Sequence, residues 1–267
     1  MYRARIDHMN IEQIADSGQV FRIRSVVPGT YSIPAICDDG PGSEELIVRQ
    51  IAADELELSC DESDWNAVWS DYFDISTDYC EIERLIKTSG DSYLCDAFEY
   101  GKGIRILRQD LWETVVSFIV SQNNNISRIR TSLDKIVSLA DLPGRRFPRA
   151  NELSPEVFDD TSLGLGYRAE YLAEIYRFVA ANPAWLDGLR KMSYADAYSE
   201  LIARKGIGPK VANCICLFGL HHIGAFPIDT HIKQILQMHY PQGFPLERYA
   251  DVAGIVQQYM FYYKLNN

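Results

Sequence analysis

Two kinds of apolar spacing divide the chain. In the first hundred residues, apolar and polar side chains alternate at residues 21–24, and short apolar runs stand at residues 46–48 and 56–58. Such patterns predict β-strands with one buried face. The Pro-Gly pair at residues 28–29 predicts a turn between strands. From about residue 65 to 100 the pattern is mixed and predicts a partly helical segment.

Beyond residue 103 the apolar period becomes helical. Apolar side chains recur three and four positions apart in two successive segments, at Leu111, Val115, Phe118 and Ile119, and then at Ile126, Ile129, Leu133, Ile136 and Val137. This spacing places them on one face of a helix. Ser193 followed by Asp196 predicts a capping box at the start of a further helix. The pattern predicts an α+β fold, with an antiparallel β-sheet domain over residues 1–100 packed on an α-helical domain over residues 101–267.

Charge is distributed unevenly between these two parts. The chain of 267 residues has a net charge of −11, which by itself argues against a nucleic acid partner. Residues 1–100 carry 7 basic and 21 acidic side chains, however, whereas residues 101–210 carry 16 basic and 13 acidic ones. A polyanion responds to the local potential rather than to the total charge. The second part can therefore face DNA, and Arg145, Arg146 and Arg149 mark a basic loop there, with solvated surface as the alternative interpretation.

Composition excludes several classes of protein. Apolar residues make up 47% and charged residues 24% of the chain, which is ordinary for a globular protein with a core. No apolar run reaches the roughly 18 residues of a membrane helix, and the first residues lack the apolar core of a signal peptide. The six cysteines form no C-x-x-C pair, so a zinc ribbon is not expected. We expect a cytoplasmic, prokaryotic protein with reduced thiols, no cofactor and no metal site.

The segment from Gly206 to Lys210 has the sequence Gly-Ile-Gly-Pro-Lys. Glycine is favoured where the backbone takes a positive φ or approaches a ligand closely, so Gly206 and Gly208 predict a tight turn between two helices. The exposed amides of such a turn, at a helix N-terminus, suit a phosphate group. The segment therefore predicts a helix-hairpin-helix that binds DNA, although an ordinary corner between two helices also contains such glycines.

Lys210 and Asp229 form the most specific combination in the chain. Asp229 follows Lys210 by 19 positions, within the segment Pro-Ile-Asp-Thr-His. The combination resembles the helix-hairpin-helix/Gly-Pro-Asp superfamily of DNA glycosylases, and the lysine resembles the members that remove a base and then cut the strand. The positive end of a helix disfavours an ammonium group, and a neutral amine is what attack on a sugar C1′ requires. Lys210 is thus a candidate nucleophile, with a phosphate-contacting lysine as the alternative.

Asp229 is expected to have two compatible roles. Its carboxylate caps the helix that it opens, and it stabilises the positive charge that develops on the sugar as the glycosidic bond breaks. The same carboxylate can move protons during Schiff-base chemistry. His231 is more typical of a packed or capping side chain, with a phosphate contact as its functional alternative.

Other segments resemble one branch of this superfamily, the 8-oxoguanine DNA glycosylase/lyases. The branch pattern F-I-x-S-x-N-N-N-I-x-R is matched within residues 117–128. The remaining matches lie in the same order as in the branch: Ser-Gly-Gln-Val-Phe-Arg at 17–22, Leu-Arg-Gln-Asp at 107–110, Leu-Gly-Leu-Gly-Tyr-Arg at 163–168, and Ala253, Gly254, Gln257 and Phe261 near the end. The resemblance spans about residues 11–263.

The resemblance implies a role for each matching residue. Phe261 and Cys214 would sandwich the flipped base, and Gln257 would hydrogen-bond to its Watson–Crick edge. The Gly18 carbonyl would accept a hydrogen bond from N7–H, which 8-oxoguanine has and guanine lacks. Further residues would bind the unpaired cytosine or fill the gap in the duplex: Asn123, Arg128 and Arg168 for the cytosine, and Tyr167 for the gap. The implied partner is double-stranded DNA containing 8-oxoguanine, bound by a monomer.

The chain departs from the branch at two places near the hairpin. Arg204-Lys205 replaces the usual Leu-Pro before Gly206, which would loosen the end of the first helix or add a phosphate contact. Asn213 replaces a common acidic residue, which leaves open whether the base pocket follows the branch pattern at this position.

Two alternative functions stay open. A glycosylase for alkylated bases on the same fold usually lacks the lysine, and a DNA-binding protein without catalysis would need neither Lys210 nor Asp229.

Overall fold

The computed structural model describes all 267 residues. Five strands form one antiparallel sheet: β1 (Tyr2–Arg5), β2 (Arg24–Val27), β3 (Thr30–Ile33), β4 (Leu46–Ala52) and β5 (Glu55–Leu58). Their order across the sheet is β1-β5-β4-β3-β2. The predicted antiparallel sheet near the N-terminus is confirmed.

Helices make up most of the remaining chain. They are α1 (Ile11–Asp16), α2 (Glu62–Asp64), α3 (Ser70–Tyr72), α4 (Tyr79–Lys87), α5 (Ser92–Gly101), α6 (Leu111–Val120), α7 (Ile126–Ser138), α8 (Arg168–Ala181), α9 (Trp185–Leu189), α10 (Tyr194–Ile202), α11 (Pro209–Phe218), α12 (Thr230–His239) and α13 (Ala253–Asn266). Shorter helical turns lie at Trp65–Trp69, Pro143–Arg145, Pro155–Asp159, Thr161–Leu163 and Leu246–Tyr249. The α+β architecture is therefore confirmed. None of these helices has both the length and the apolar character needed to cross a membrane.

One face of the sheet carries the smaller of two hydrophobic cores. Val48 on β4 and Leu56 and Leu58 on β5 are fully buried, because alternate side chains of a strand point to the same face. They belong to a cluster of 20 buried residues that also contains Ile14 of α1 and Trp69. Burying a side chain of this size contributes roughly 1.5–3 kcal/mol. This cluster therefore holds the sheet against α1.

The larger core contains 51 buried residues and belongs mainly to the helices. It includes Ile82 of α4 and Phe98 of α5, and α5 packs along α13. Between residues 60 and 100 the change from the smaller to the larger core falls between Phe73 and Tyr79, while Phe21 belongs to the larger core and Leu107 to the smaller one. The domain boundary near residue 100 stays a prediction. α4 packs on α5, so both helices contribute to the larger core.

The predicted strand over residues 21–24 is wrong, because β2 begins only at Arg24 and the three preceding residues are all buried. Glu113 of α6 accepts two hydrogen bonds from the buried Arg22 guanidinium, at 2.8 and 2.7 Å. The carbonyl of Arg145 accepts a third at 2.6 Å. An ionic partner far along the chain thus overrides the local alternation of apolar and polar residues.

The arginines of the predicted basic loop join the two parts of the chain. Each forms an ion pair with an acidic side chain: Arg145 with Glu45, Arg146 with Asp38 and Glu152, and Arg149 with Asp38. Two of these carboxylates lie within the acidic first hundred residues. Each of these charges has an acidic partner within the protein, so this loop is not the free basic surface that its sequence indicates.

We expect Glu113→Gln to lower the free energy of unfolding by about 3–5 kcal/mol, because the buried Arg22 charge loses its partner. Urea denaturation measures this loss. Glu156→Gln is the matched control, since Glu156 pairs with Arg177 in solvent and exposed pairs contribute about 0–1 kcal/mol. Equal losses in the two variants would contradict a structural role for the buried pair.

Candidate active site

The hairpin between α10 and α11 has the tight turn that its glycines predict. Gly206 has a φ of +83°, and a Cβ atom there would lie 2.5 Å from the Tyr171 ring. Gly208 is extended, and a Cβ atom there would meet nothing within 4 Å. The fold therefore demands glycine at 206, whereas the backbone at 208 is open to a ligand. Ser193 is the N-cap of α10 as predicted, because its hydroxyl accepts a hydrogen bond from the Asp196 amide at 3.2 Å; the same hydroxyl, rather than the Ser193 amide, contacts the Asp196 carboxylate at 2.6 Å.

Lys210 lies in the first turn of α11, directly after Pro209. Its Nζ atom is 3.5 Å from the Ser121 hydroxyl and 5.2 Å from the centre of the Phe118 ring. No carboxylate forms an ion pair with it, in contrast to Lys87 and Lys205. The amine therefore faces an aromatic ring and a neutral hydroxyl, and this environment leaves it available to a ligand.

Asp229 opens α12 as its N-cap, and its carboxylate accepts a hydrogen bond from the Ile232 amide at 2.8 Å. The predicted capping role is confirmed. Asp229 and Lys210 line the same open cavity, which has a volume of about 890 Å³. The helix N-terminus thus holds a carboxylate in the cavity that contains the candidate nucleophile.

Eight of the predicted site residues line this cavity. They are Gly18, Asn123, Tyr167, Gly208, Lys210, Asp229, His231 and Phe261. They come from parts of the chain that are far apart in sequence, which the fold brings to one side of the helical domain. A second cavity of about 410 Å³, beside the loop that contains Arg146, includes none of them. No three His, Cys, Asp or Glu side chains are arranged to hold a metal ion.

One wall of the cavity is formed by Gly18 and Phe261. Gly18 has a φ of +77°, and a Cβ atom there would lie 3.0 Å from the Phe261 ring. His231 packs edge-on against the same ring, with 5.7 Å between the ring centres. Glycine thus lets the backbone approach the aromatic face closely, and His231 has the packed position that its sequence context predicts.

Cys214 and Gln257 are buried rather than exposed to the open cavity. Burial raises the pKa of the Cys214 thiol, and the nearby Lys210 ammonium partly opposes that rise. Gln257 is only 4% exposed, and its Oε1 atom has no hydrogen-bond partner. A buried amide oxygen without a partner is costly. A ligand that donates a hydrogen bond to this oxygen would remove that cost.

The residues predicted to bind the opposite strand have different environments. Arg128 and Asn123 are exposed, and Tyr167 is 51% exposed. Arg168, in contrast, is buried, and its guanidinium donates to the carbonyls of Asn123 and Leu165 at 2.8 and 3.1 Å. The structure therefore leaves Arg128 as the free guanidinium of this set, while Arg168 supports the loop.

Two residues near the nucleophile had no role assigned by sequence. Ser121 lies next to the Lys210 amine, and Gln122 hydrogen-bonds to the hairpin. Both lie within residues 117–128, the segment that resembles the glycosylase branch. That resemblance marked the segment as functional without assigning a role to either residue. Their contacts join residues more than 80 positions apart, and local spacing does not reveal such contacts.

Comparison with known proteins points to one family. The sequence-family model of the 8-oxoguanine DNA glycosylase N-terminal domain matches residues 1–115 of this chain. The N-glycosylase/DNA lyase OGG1 of Arabidopsis thaliana is 33% identical over 213 residues, which cover 74% of this chain. The structure of MBOgg1 in complex with a low affinity DNA ligand has a TM-score of 0.88 and 31% identity, covering 99% of this chain and 95% of that chain. The chain belongs to the 8-oxoguanine DNA glycosylase family.

A second solved member of the 8-oxoguanine DNA glycosylase family comes from Clostridium acetobutylicum. It is described as an 8-oxoguanine glycosylase/lyase in complex with double-stranded DNA that contains cytosine opposite 8-oxoG. Its TM-score is 0.87 at 30% identity, and the similarity covers 98% of this chain and 93% of that chain. The chain spans about half the length of the Arabidopsis relative, 52%.

The departures from the family pattern at the hairpin are accommodated by local contacts. Arg204 lies over the Phe178 ring at 4.4 Å and pairs with Glu200 at 3.4 Å. Asn213 accepts a hydrogen bond from the Tyr194 hydroxyl at 2.6 Å. Neither side chain lines the cavity. These substitutions therefore stabilise the outer side of the hairpin and do not alter the cavity.

Lys205 is not placed as a phosphate contact in this family member. Its ammonium is 2.6 Å from Glu170 and 2.7 Å from Glu174, and these hydrogen bonds raise its pKa. We expect Lys205→Ala to leave the slope of log affinity for DNA against log salt unchanged, because no counterion release depends on it. Lys233→Ala is the matched control, since Lys233 is exposed in the cavity. Fluorescence anisotropy at several salt concentrations measures both slopes.

For the control variant we expect the magnitude of the slope to fall by about 1, which is the change for one lost phosphate contact. The opposite pattern, with a flatter slope for Lys205→Ala, would show that the lysine leaves its two carboxylates to bind DNA.

Proposed function

We propose that the protein is a bifunctional base-excision repair enzyme, which removes 8-oxoguanine opposite cytosine and then cuts the strand as an AP lyase. The observation that carries this proposal is the placement of Lys210, without an ionic partner, in one cavity with the helix-capping Asp229. The similarity to the Arabidopsis N-glycosylase/DNA lyase and the Clostridium 8-oxoguanine glycosylase/lyase supports it. We further propose that the enzyme acts as a monomer in a prokaryotic cytoplasm.

The reaction begins with a nucleotide flipped out of the duplex, which costs a few kcal/mol. The Lys210 amine attacks C1′ of the sugar, so a carbon–nitrogen bond forms while the glycosidic bond breaks and the base leaves. Asp229 stabilises the positive charge that develops on the sugar. The adduct then opens: the C1′–O4′ bond breaks, O4′ takes up a proton and the nitrogen loses one, which leaves a Schiff base that acidifies C2′. Loss of a C2′ proton then expels the 3′ phosphate by β-elimination.

Recognition of the lesion depends on the wall formed by Gly18 and Phe261. In this proposal the Gly18 carbonyl accepts a hydrogen bond from N7–H of 8-oxoguanine and meets a repelling lone pair in guanine. The discrimination is worth roughly 1–3 kcal/mol. Gln258 of α13 supports this segment, because its Nε2 atom donates to the Ser17 carbonyl at 2.6 Å. Gln257, with its unpartnered oxygen, is available for the Watson–Crick edge of the base.

Selectivity for the opposite base is expected to depend on Arg128. Cytosine offers O2 and N3 as acceptors once its partner has left, and a guanidinium supplies matching donors. Adenine turns an amino donor toward the guanidinium and leaves buried donors unpaired. We therefore expect excision opposite cytosine to exceed excision opposite adenine by roughly 10- to 100-fold. Single-turnover rates on the two duplexes measure this ratio.

Arg128→Ala is expected to narrow that ratio. Arg130→Ala is the matched control on the same helix, since Arg130 donates to the Ala15 carbonyl at 2.7 Å and pairs with Asp16 at 3.4 Å. If Arg128 contacts only phosphates, its replacement will weaken both duplexes alike. Equal rates opposite cytosine and adenine in the wild-type protein would overturn the assignment of Arg128 to the opposite base.

Two other functions make different predictions for the same cavity. A glycosylase for alkylated bases does not require Lys210, and a DNA-binding protein without catalysis requires neither Lys210 nor Asp229. We therefore propose neither of them for a chain that places both residues in one cavity.

Release of free base from a set of duplexes tests the proposed function. The set contains 8-oxoguanine opposite cytosine, 3-methyladenine opposite thymine, and undamaged guanine opposite cytosine, and mass spectrometry identifies the released base. We expect release of 8-oxoguanine alone, followed by strand cleavage. Preferential release of 3-methyladenine would favour the alkylated-base alternative, and binding without any release would favour the non-catalytic one.

A further inference from the structure

Gln122 joins the end of α6 to the hairpin through its side chain. Its Nε2 atom donates to the carbonyl of Gly206 at 2.9 Å and to the carbonyl of Ile119 at 3.2 Å. Gly206 is the glycine at the tight turn of the hairpin, 84 positions away in sequence. A single amide therefore connects the loop after α6 to the segment whose backbone is open to DNA.

The backbone of Gln122 forms a second set of bonds with the start of α8. Its carbonyl accepts hydrogen bonds from both Nε and Nη2 of Arg168, the former at 2.7 Å. The Tyr167 hydroxyl donates to the same carbonyl at 3.3 Å. The next residue, Asn123, has a φ of +46°, in the left-handed region that asparagine tolerates better than most non-glycine residues.

The hairpin and α8 also contact each other directly. Gly206 packs so tightly on Tyr171 that a Cβ atom would lie 2.5 Å from the ring. Tyr171 stands one turn after Tyr167, and the two rings pack edge-on with 5.8 Å between their centres. Three elements that face the cavity thus meet at Gln122: the loop after α6, the hairpin, and the start of α8.

We propose that Gln122 is a positioning residue, which fixes the hairpin and the Tyr167–Arg168 pair on one loop and so sets the selectivity for the base opposite the lesion. The inference rests on the proposed function. Asn123 and Arg128 belong to the same loop and the following helix, so their positions depend on how firmly that loop is held.

Gln122→Met tests the proposal, because methionine matches the length of glutamine without its donor. Gln50→Met is the matched control: the Gln50 amide also donates to backbone carbonyls, those of Met9 and Ala52, but on the sheet. We expect Gln122→Met to lower the ratio of excision opposite cytosine to excision opposite adenine about 3- to 10-fold, as for one lost hydrogen bond. The control keeps the wild-type ratio. Thermal denaturation shows whether the two variants have similar stability.

Binding to a duplex that carries a tetrahydrofuran abasic-site analogue separates this inference from the proposed function. If the wild-type protein releases no 8-oxoguanine, the proposed function is wrong, and the binding preference for cytosine over adenine opposite the analogue decides the inference instead. We expect that preference to fall about 3- to 10-fold in Gln122→Met alone. A wild-type ratio in both assays, or an equal fall in the Gln50 control, would overturn the positioning role.

Discussion

Lys210→Gln is expected to lose base excision by at least about 1,000-fold while it still binds a damaged duplex. The amine is the group that forms the bond to C1′, and the amide nitrogen of glutamine is not nucleophilic. The fold should survive, because Lys210 makes only one long hydrogen bond, to Ser121, and no ion pair. Single-turnover excision and anisotropy on the same 8-oxoguanine duplex measure the two properties separately.

Lys233→Gln is the control for this variant, since it removes another ammonium from the same cavity. We expect it to weaken binding and to keep the chemical step. Excision at the wild-type rate by Lys210→Gln would contradict a nucleophilic role and leave the lysine as a phosphate contact.

Asp229→Asn is expected to slow excision by about 100-fold or more with little change in stability. Asparagine caps a helix about as well as aspartate, so the hydrogen bond to the Ile232 amide is retained. The negative charge that faces the developing positive charge of the sugar is lost, and interactions of this kind contribute about 2.7–4 kcal/mol in other enzymes. Single-turnover kinetics and thermal denaturation together measure both effects.

The matched control is Asp78→Asn at the N-cap of α4, where the carboxylate accepts from the Glu81 amide at 3.0 Å. We expect no change of activity there. A large loss of stability with normal excision in Asp229→Asn would mean that capping is the main role of this carboxylate.

Local signals predicted the elements around the site well. The N-caps at Ser193 and Asp229 are confirmed, because a cap depends on residues within one helical turn. The glycines of the hairpin are also local, and Gly206 has the positive φ that they predict. The spacing of apolar residues predicted α6 and α7 correctly, because that spacing also repeats within one or two helical turns.

Contacts between distant segments explain where the predictions were incomplete. Arg22 has the spacing of an exposed strand residue, yet Glu113 draws it into the interior. The contact of Arg168 with cytosine stays a prediction, and the structure adds hydrogen bonds from its guanidinium to backbone carbonyls of a distant loop, which the sequence did not indicate. In both cases a charged side chain is buried by partners that its own segment does not contain. Burial of this kind follows from the packed fold rather than from sequence periodicity.

Trapping with borohydride tests the central claim most directly. Sodium borohydride reduces a Schiff base between the protein and the sugar to a stable amine, and peptide mapping then identifies the modified lysine. On a duplex with 8-oxoguanine opposite cytosine, we predict a covalent adduct at Lys210, none at Lys233, and none on an undamaged duplex. The absence of an adduct on the damaged duplex, or an adduct at a lysine other than Lys210, would contradict the proposed mechanism.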